Sequence, residues 1–199
     1  MLGSIKYNLS HLLDFSGRDA RQTFWFYVLF VFLLNMAVSL AITMPAVGQA
    51  MGGAMMAARS GDPAAANAAL AESMTGVTMR AIWAGAILGV VNIGLLAAAF
   101  VRRLHDADFS GWWALLVGAV YGLSIGRTLL NADSMEAMAR EAVENAIANP
   151  TMGPQLYGTN PQMAFDTLIG WIPIVLMVGF GVLKSTAGPN RFAEEPVRF

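Results

Sequence analysis

Residues 102–113 read RRLHDADFSGWW and lie where two uncharged stretches, 81–101 and 109–126, approach each other. This density of charged and polar groups fits either an active site or a short turn between two membrane-spanning helices. The composition favours the turn. With 56% hydrophobic and only 13% charged residues, the chain is too apolar for a soluble domain of ordinary surface. We therefore predict an integral membrane protein.

Four stretches without Asp, Glu, Lys or Arg set the number of spans. They are residues 22–58, 81–101, 109–126 and 167–183. At a rise of about 1.5 Å per residue, even the shortest approaches the roughly 30 Å thickness of the hydrocarbon core. The sequence predicts an all-α, polytopic fold that forms one membrane domain, 1–199. Its four transmembrane helices lie near 24–47, 81–101, 111–130 and 165–183, and its long outer loops are 48–80 and 131–164.

The distribution of basic residues predicts the orientation. Because the number of spans is even, both termini and the 102–110 turn lie on the same side of the membrane. That side carries Lys6, Arg18, Arg21, Arg102, Arg103, Lys184, Arg191 and Arg198, and the other carries Arg59, Arg80, Arg127 and Arg140. Because Lys and Arg near helix ends are retained in the cytoplasm, this bias places both termini there. The first apolar run is too long for a cleaved signal peptide and is expected to act as a signal anchor.

Periodicity predicts short amphipathic helices in the outer loops. In the second loop the apolar face would carry Met135, Met138, Ala142 and Ile147, and the charged face Glu136, Arg140 and Glu144. Residues 63–74 are expected to behave in the same way. The Pro- and Gly-rich stretch 149–161 is predicted to be irregular.

Polar and small residues within the spans predict helix contacts. Asn35 and Asn92 lie at a similar depth, so we expect a hydrogen bond between the helices that carry them. Small residues repeat every four positions in two spans, at Ala114, Gly118, Gly122 and Gly126 and at Gly85 and Gly89. Such seams let helices approach closely and would permit a homo-oligomer.

The same tetrapeptide, Asp-Phe-Ser-Gly, precedes the first and third spans at 14–17 and 108–111. Serine is a favoured N-cap, so Ser16 and Ser110 are predicted to cap these helices, with Asp19 in a capping-box position. Trp25, Trp112 and Trp113 follow at the depth of the headgroups. Two helix N-termini would therefore open toward the cytoplasm.

Three blocks of the sequence resemble the domain of unknown function 805 family, which comprises small bacterial inner-membrane proteins. The first block is Phe15, Gly17, Arg18, Arg21, Phe24 and Trp25. The central block is Arg102, Arg103, Leu104, His105, Asp106, Ser110, Gly111, Trp112 and Trp113, and the closing block is Gly188, Asn190, Arg191, Phe192 and Pro196. Ala193 and Glu195 depart from the family pattern. The resemblance implies a four-helix protein of the bacterial inner membrane and supplies no reaction, cofactor or catalytic residue.

Three functions compete for the side that carries these blocks. The first is a non-catalytic envelope or interaction protein that contacts a partner, an anionic headgroup or another phosphate. The residues that would make this contact are Arg18, Arg21, Arg102, Arg103, Arg191, Ser16 and Ser110. A role of the arginines in fixing the membrane topology alone explains them equally well. The second is a phosphate-handling enzyme that uses His105 and Asp106 with Asp108 and Ser110. The third is a small transporter or channel formed by an oligomer. We expect membrane lipids as partners, and no cofactor, metal or nucleic acid.

Overall fold

The computed structural model describes residues 1–59, 61–148 and 161–199. Within these ranges the chain forms six helices: α1 (Leu2–Ser10), α2 (Arg21–Arg59), α3 (Pro63–Asp106), α4 (Trp112–Leu130), α5 (Ala132–Ala148) and α6 (Pro161–Val182). The described residues contain no strand beyond an isolated parallel bridge between Asp19 and Val197. Four helices, α2, α3, α4 and α6, are long and apolar enough to cross a membrane. The predicted all-α fold with four transmembrane helices is confirmed.

The first two membrane helices continue well beyond their predicted ends. α2 contains 39 residues and α3 contains 44, so each is about 60 Å long and exceeds the hydrocarbon thickness. The predicted loop at 48–80 is therefore mostly helical, and the expected short helix at 63–74 is the beginning of α3. The helical structure of this segment has two physical causes. One is its alanine-rich composition. The other is an N-cap at the start of α3, because the Ala64 amide donates to Oδ1 of Asp62 at 2.9 Å.

The chain divides into two compact units, of which the first contains residues 1–35, 88–125 and 165–199. Its core is aromatic and aliphatic, with Phe24, Tyr27, Ala99 and Leu104 fully or almost fully buried. The Tyr27 hydroxyl donates to the carbonyl of Leu95 at 3.0 Å, which satisfies the polar end of that ring. Both tails of the chain belong to this unit.

The second unit contains residues 36–87 and 126–164. Its α5 is amphipathic, as the periodicity predicts; Ala132 and Ala139 are buried. Arg140 pairs with Glu144 at 3.2 Å on the exposed face. The stretch 149–161 is predicted to be irregular. Residues 149–160 lie outside the described residues, and Pro161 is the first residue of α6.

The small-residue seams are only partly packed within the chain. A methyl group added at Gly89 would meet Ile125 at 2.7 Å, so this glycine permits a close approach of helices. Methyl groups added at Gly118 and Gly122 would meet nothing within 4 Å. Association of copies through these glycines stays a prediction.

Candidate functional site

The stretch 102–113 forms a helix end, a tight turn and a helix start. α3 ends at Asp106 and α4 begins at Trp112. The Phe109 amide returns to the carbonyl of Leu104 at 2.9 Å, which closes the end of α3. Asp108 adopts a positive φ of 60°, a conformation that aspartate tolerates better than most residues. The turn therefore holds its charged residues against the tails of the chain.

Asp106 lies at the centre of a buried group that we call the arginine cluster, which consists of Arg18, Arg102, Arg103, Asp19 and Asp106. All five side chains are fully buried. One oxygen of Asp106 pairs with Arg18 at 3.2 Å and the other pairs with Arg103. The Ser185 hydroxyl also donates to Asp106. Because buried charges are tolerated only when they are paired and hydrogen-bonded, this carboxylate holds two cations in place.

Arg18 fastens the C-terminal tail to the cluster. Its guanidinium donates to the carbonyls of Gly188 and Thr186, each at 2.8 Å. The Thr186 amide in turn donates to the Asp106 carbonyl at 2.8 Å. The main chain before α2 also joins this tail, since Val197 donates to the carbonyl of Arg18 at 2.8 Å. The segment after α6 is thus held by residues that belong to two other parts of the chain.

Arg102 organises the N-terminal tail in a similar way. Its Nε donates to Asp19 at 3.1 Å, and a terminal nitrogen donates to Oδ1 of Asn8 at 2.6 Å. The carbonyls of His11 and Asp14 accept the remaining hydrogen bonds of its guanidinium group. A single guanidinium therefore anchors α1 and the connection that leads to α2.

Arg103 closes the end of α6. Its guanidinium donates to the carbonyl of Gly181 at 3.1 Å and to that of Leu183. The Trp25 indole also donates to Gly181, at 3.2 Å. The last carbonyls of a helix lack partners within the helix and carry partial negative charge, so a cation at this position satisfies them.

His105 has a structural position in the same region. Its ring stacks on Phe192 with a centroid separation of 3.7 Å and an interplanar angle of 7°, and its Nδ1 lies 3.3 Å from the carbonyl of Gly17. The Asn190 side chain donates to the His105 carbonyl at 2.8 Å. His105 therefore bridges the first and closing sequence blocks.

Two carboxyl groups before α2 have shifted pKa values in opposite directions. Burial raises the pKa of Asp19 to about 6, although the Arg102 guanidinium opposes the shift. Oδ1 of Asp19 is buried and has no hydrogen-bond partner in the part of the chain that the structure describes. Asp14 is partly exposed to water, and hydrogen bonds from the Ser16 hydroxyl and amide lower its pKa.

The predicted capping roles of the two serines differ from the structure. α2 begins five residues after Ser16, and this serine donates to Asp14 instead of receiving a helix amide. Asp19 binds Arg102 rather than completing a capping box. Ser110 accepts from the Trp112 amide at a long 3.5 Å. Ala20 immediately precedes α2 and has no polar side chain that could cap it; its carbonyl accepts the Phe24 amide at 3.0 Å, the ordinary first bond of the helix.

The predicted basic surface also needs correction. Arg18, Arg102 and Arg103 are fully buried, so they do not present their guanidinium groups to headgroups. Arg21 and Arg191 are exposed, and Arg191 pairs with Asp108 at 3.3 Å on the surface. Charge bias could not distinguish the two groups because it counts arginines without regard to burial.

The remaining predicted residues lie as follows. Asn35 and Asn92 exchange two hydrogen bonds, at 2.8 and 3.2 Å, so the expected contact is present. Gly111 permits close packing, since a methyl group there would lie 3.1 Å from Val101. Trp112 and Trp113 are 76% and 44% exposed at the start of α4, as expected of rings at a membrane interface.

Of the three comparisons with known proteins, one identifies a family. No curated protein and no solved structure matches the chain. A family model described as "Protein of unknown function (DUF805)" matches residues 12–194. The match covers nearly the whole chain and includes every residue of the arginine cluster; of the three sequence blocks, Pro196 of the closing block lies beyond it. The chain therefore belongs to the DUF805 family.

Proposed function

We propose that this multi-pass protein is a non-catalytic protein of the bacterial inner membrane whose exposed basic residues bind anionic lipid headgroups. In this proposal both termini lie in the cytoplasm, and the arginine cluster is the frame that holds the basic residues at that surface. The observation that carries the proposal is the division of the basic residues into an enclosed set and an exposed set.

The enclosed set, Arg18, Arg102 and Arg103, supports a structural role for the arginine cluster. Asp106 accepts from Arg18, Arg103 and Ser185 and has no exposed surface. A general base needs access to the proton that it removes. His105 is 9% exposed and is covered by Phe192. Two of the residues that the enzyme hypothesis requires, His105 and Asp106, are thus engaged in holding the tails.

The exposed set supports headgroup binding. Its members are Lys6, Arg21, Lys184, Arg191 and Arg198. Arg21 is the first residue of α2, and Lys184 follows the end of α6 by two residues. Basic residues next to an anionic leaflet contribute about 1 kcal/mol each. Arg191 is already paired with Asp108, so the other four residues supply most of the attraction that would enrich anionic lipid around the protein.

Transport has weaker support. The carboxamides of Asn35 and Asn92 bind each other and are not directed at a passing solute. The second unit has a cavity of about 200 Å³ that is lined by Gln49, Glu72, Ser73 and Arg80, among others. Its volume is below the roughly 300 Å³ at which small-molecule sites begin.

The test compares lipids that remain bound after gentle extraction. Wild-type protein and an Arg21→Gln/Lys184→Gln variant are purified from vesicles of equal phosphatidylglycerol and phosphatidylethanolamine content, and bound lipids are counted by native mass spectrometry. We expect the wild type to retain phosphatidylglycerol at least threefold over phosphatidylethanolamine, and the variant to lose most of this preference.

The matched control is Arg140→Gln, which removes an exposed arginine from α5 and should leave the preference unchanged. An equal ratio of the two lipids on the wild type would overturn the proposal. The buried arginines are unsuitable for this test, because their removal would disturb the fold.

A further inference from the structure

Helix α1 has an inverted distribution of polar and apolar residues. Its buried residues are Ser4 and Asn8, which lie one turn apart on one face. On the opposite face Leu2 is 80% exposed and Leu9 is 42% exposed, and Leu13 just beyond the helix is 87% exposed. A helix on a water-exposed surface directs its apolar face toward the protein. α1 does the reverse.

The polar face of α1 is held by specific contacts. Asn8 accepts from Arg102 at 2.6 Å and donates to the carbonyl of Ser4 at 2.9 Å. The Tyr7 ring lies under the Arg102 guanidinium at 5.3 Å, and Phe199 packs against Gly3 and Tyr7. The orientation of α1 is therefore fixed by the arginine cluster, which leaves the leucines outside.

The depth of α1 is fixed by the same contact. Arg102 directly follows the uncharged stretch 81–101 of α3, so it marks the end of the membrane-spanning part of that helix. Because Asn8 and the His11 carbonyl bind Arg102, α1 lies at the boundary of the bilayer. Phe15, 46% exposed, and Trp112, 76% exposed, are further apolar groups next to this boundary. The exposed leucines thus lie near the level at which the uncharged stretch of α3 ends.

We infer that α1 is an in-plane membrane helix, with Leu2, Leu9 and Leu13 inserted among the acyl chains of the leaflet at which α2 begins. Lys6, exposed on the same side of the helix, reaches outward to the headgroups by its long side chain. Helices of this kind bind the interface through buried apolar area. The inference concerns apolar contact and does not rest on the proposed selectivity for anionic headgroups.

The chain contains no cysteine, so single cysteines can be labelled without a background. An environment-sensitive fluorophore is attached in turn to Leu9→Cys, Leu13→Cys and Glu195→Cys. The last position is exposed on the C-terminal tail and serves as the aqueous control. Each protein is placed in nanodiscs of phosphatidylcholine alone, and quenching is measured with lipid that carries a nitroxide near the top of the acyl chain and, separately, with aqueous iodide.

We expect the nitroxide lipid to quench the labels at positions 9 and 13 at least threefold more than the label at 195. Aqueous iodide should instead quench the label at 195 more than those at 9 and 13. Quenching of positions 9 and 13 by iodide to the level of 195 would overturn the inference. Protection from both quenchers would also overturn it, because it would indicate a protein partner or a second copy over this face. Leu13 lies outside α1, so it provides a readout that does not depend on tolerance of a substitution within the helix. Phosphatidylcholine has no net charge, so failure of anionic selectivity would leave this result unaffected.

Discussion

Replacing Asp106 by asparagine removes the one carboxylate that pairs with both Arg18 and Arg103. The asparagine oxygen can still accept a hydrogen bond, but the negative charge is lost. The two guanidinium groups keep their contacts with the carbonyls of Thr186, Gly188 and Gly181. The substitution therefore isolates the effect of charge pairing from that of hydrogen bonding.

The expected effect is large because all three side chains are fully buried. Leaving a buried charge without its partner costs about 3–5 kcal/mol. The retained carbonyl contacts place the loss at the lower end of this range. We expect Asp106→Asn to lower the free energy of unfolding by about 3 kcal/mol, roughly two orders of magnitude in the unfolding equilibrium.

The measurement is reversible unfolding in mixed micelles of increasing dodecyl sulfate content, followed by far-UV circular dichroism. Arg140→Gln is the matched control. Its partner Glu144 is 59% exposed and the arginine is 68% exposed, and exposed pairs contribute about 0.2–1 kcal/mol. A loss below 1 kcal/mol for Asp106→Asn would refute the view that the cluster is a tightly coupled charge network.

Three further predictions follow from other contacts. Asn35→Ala and Asn92→Ala should each destabilise the fold, with a coupling energy of about 0.5–1.5 kcal/mol in a double-mutant cycle; strictly additive losses would contradict a direct bond. His105→Ala should loosen the C-terminal tail, measured as faster maleimide labelling of Ala20→Cys, since the Ala20 amide binds the tail at Val197, whereas His105→Phe should retain protection by stacking on Phe192. The folded-state pKa of Asp19, about 6, lies above the ordinary 3.8, so folding takes up a proton in this window and stability should fall as pH rises from about 4 to 6. Asp19→Asn should flatten that dependence, and an unchanged slope in unfolding titrations would assign it to other groups.

The parts of the fold that sequence predicted are those governed by local composition. Uncharged stretches located the four spans, since lipid excludes charge regardless of what the helices contact. The equal depth of Asn35 and Asn92 followed from counting residues along two helices. The face of α5 that carries Arg140 and Glu144 followed from periodicity alone.

The parts that were missed depend on tertiary contacts. Arg102 and Asp19 are 83 positions apart, and no spacing rule connects them. α1 contains only nine residues and its apolar positions do not point toward the protein, so its pattern does not match that of an ordinary surface helix. The extension of α2 and α3 through 48–80 was missed because a change from apolar to mixed composition was interpreted as the end of a helix.

The C-terminal tail is synthesised last, and this order affects when the arginine cluster can be completed. Arg18, Arg103 and Asp106 all emerge from the ribosome before Thr186 and Gly188, whose carbonyls complete the coordination of Arg18. Until the segment after α6 has been made, two guanidinium groups lack their final acceptors, and the last carbonyls of α3 lack the donors Thr186 and Asn190. Assembly of this end of the protein therefore has to be completed after the fourth span, and a chain that stops earlier leaves these charged groups without their partners.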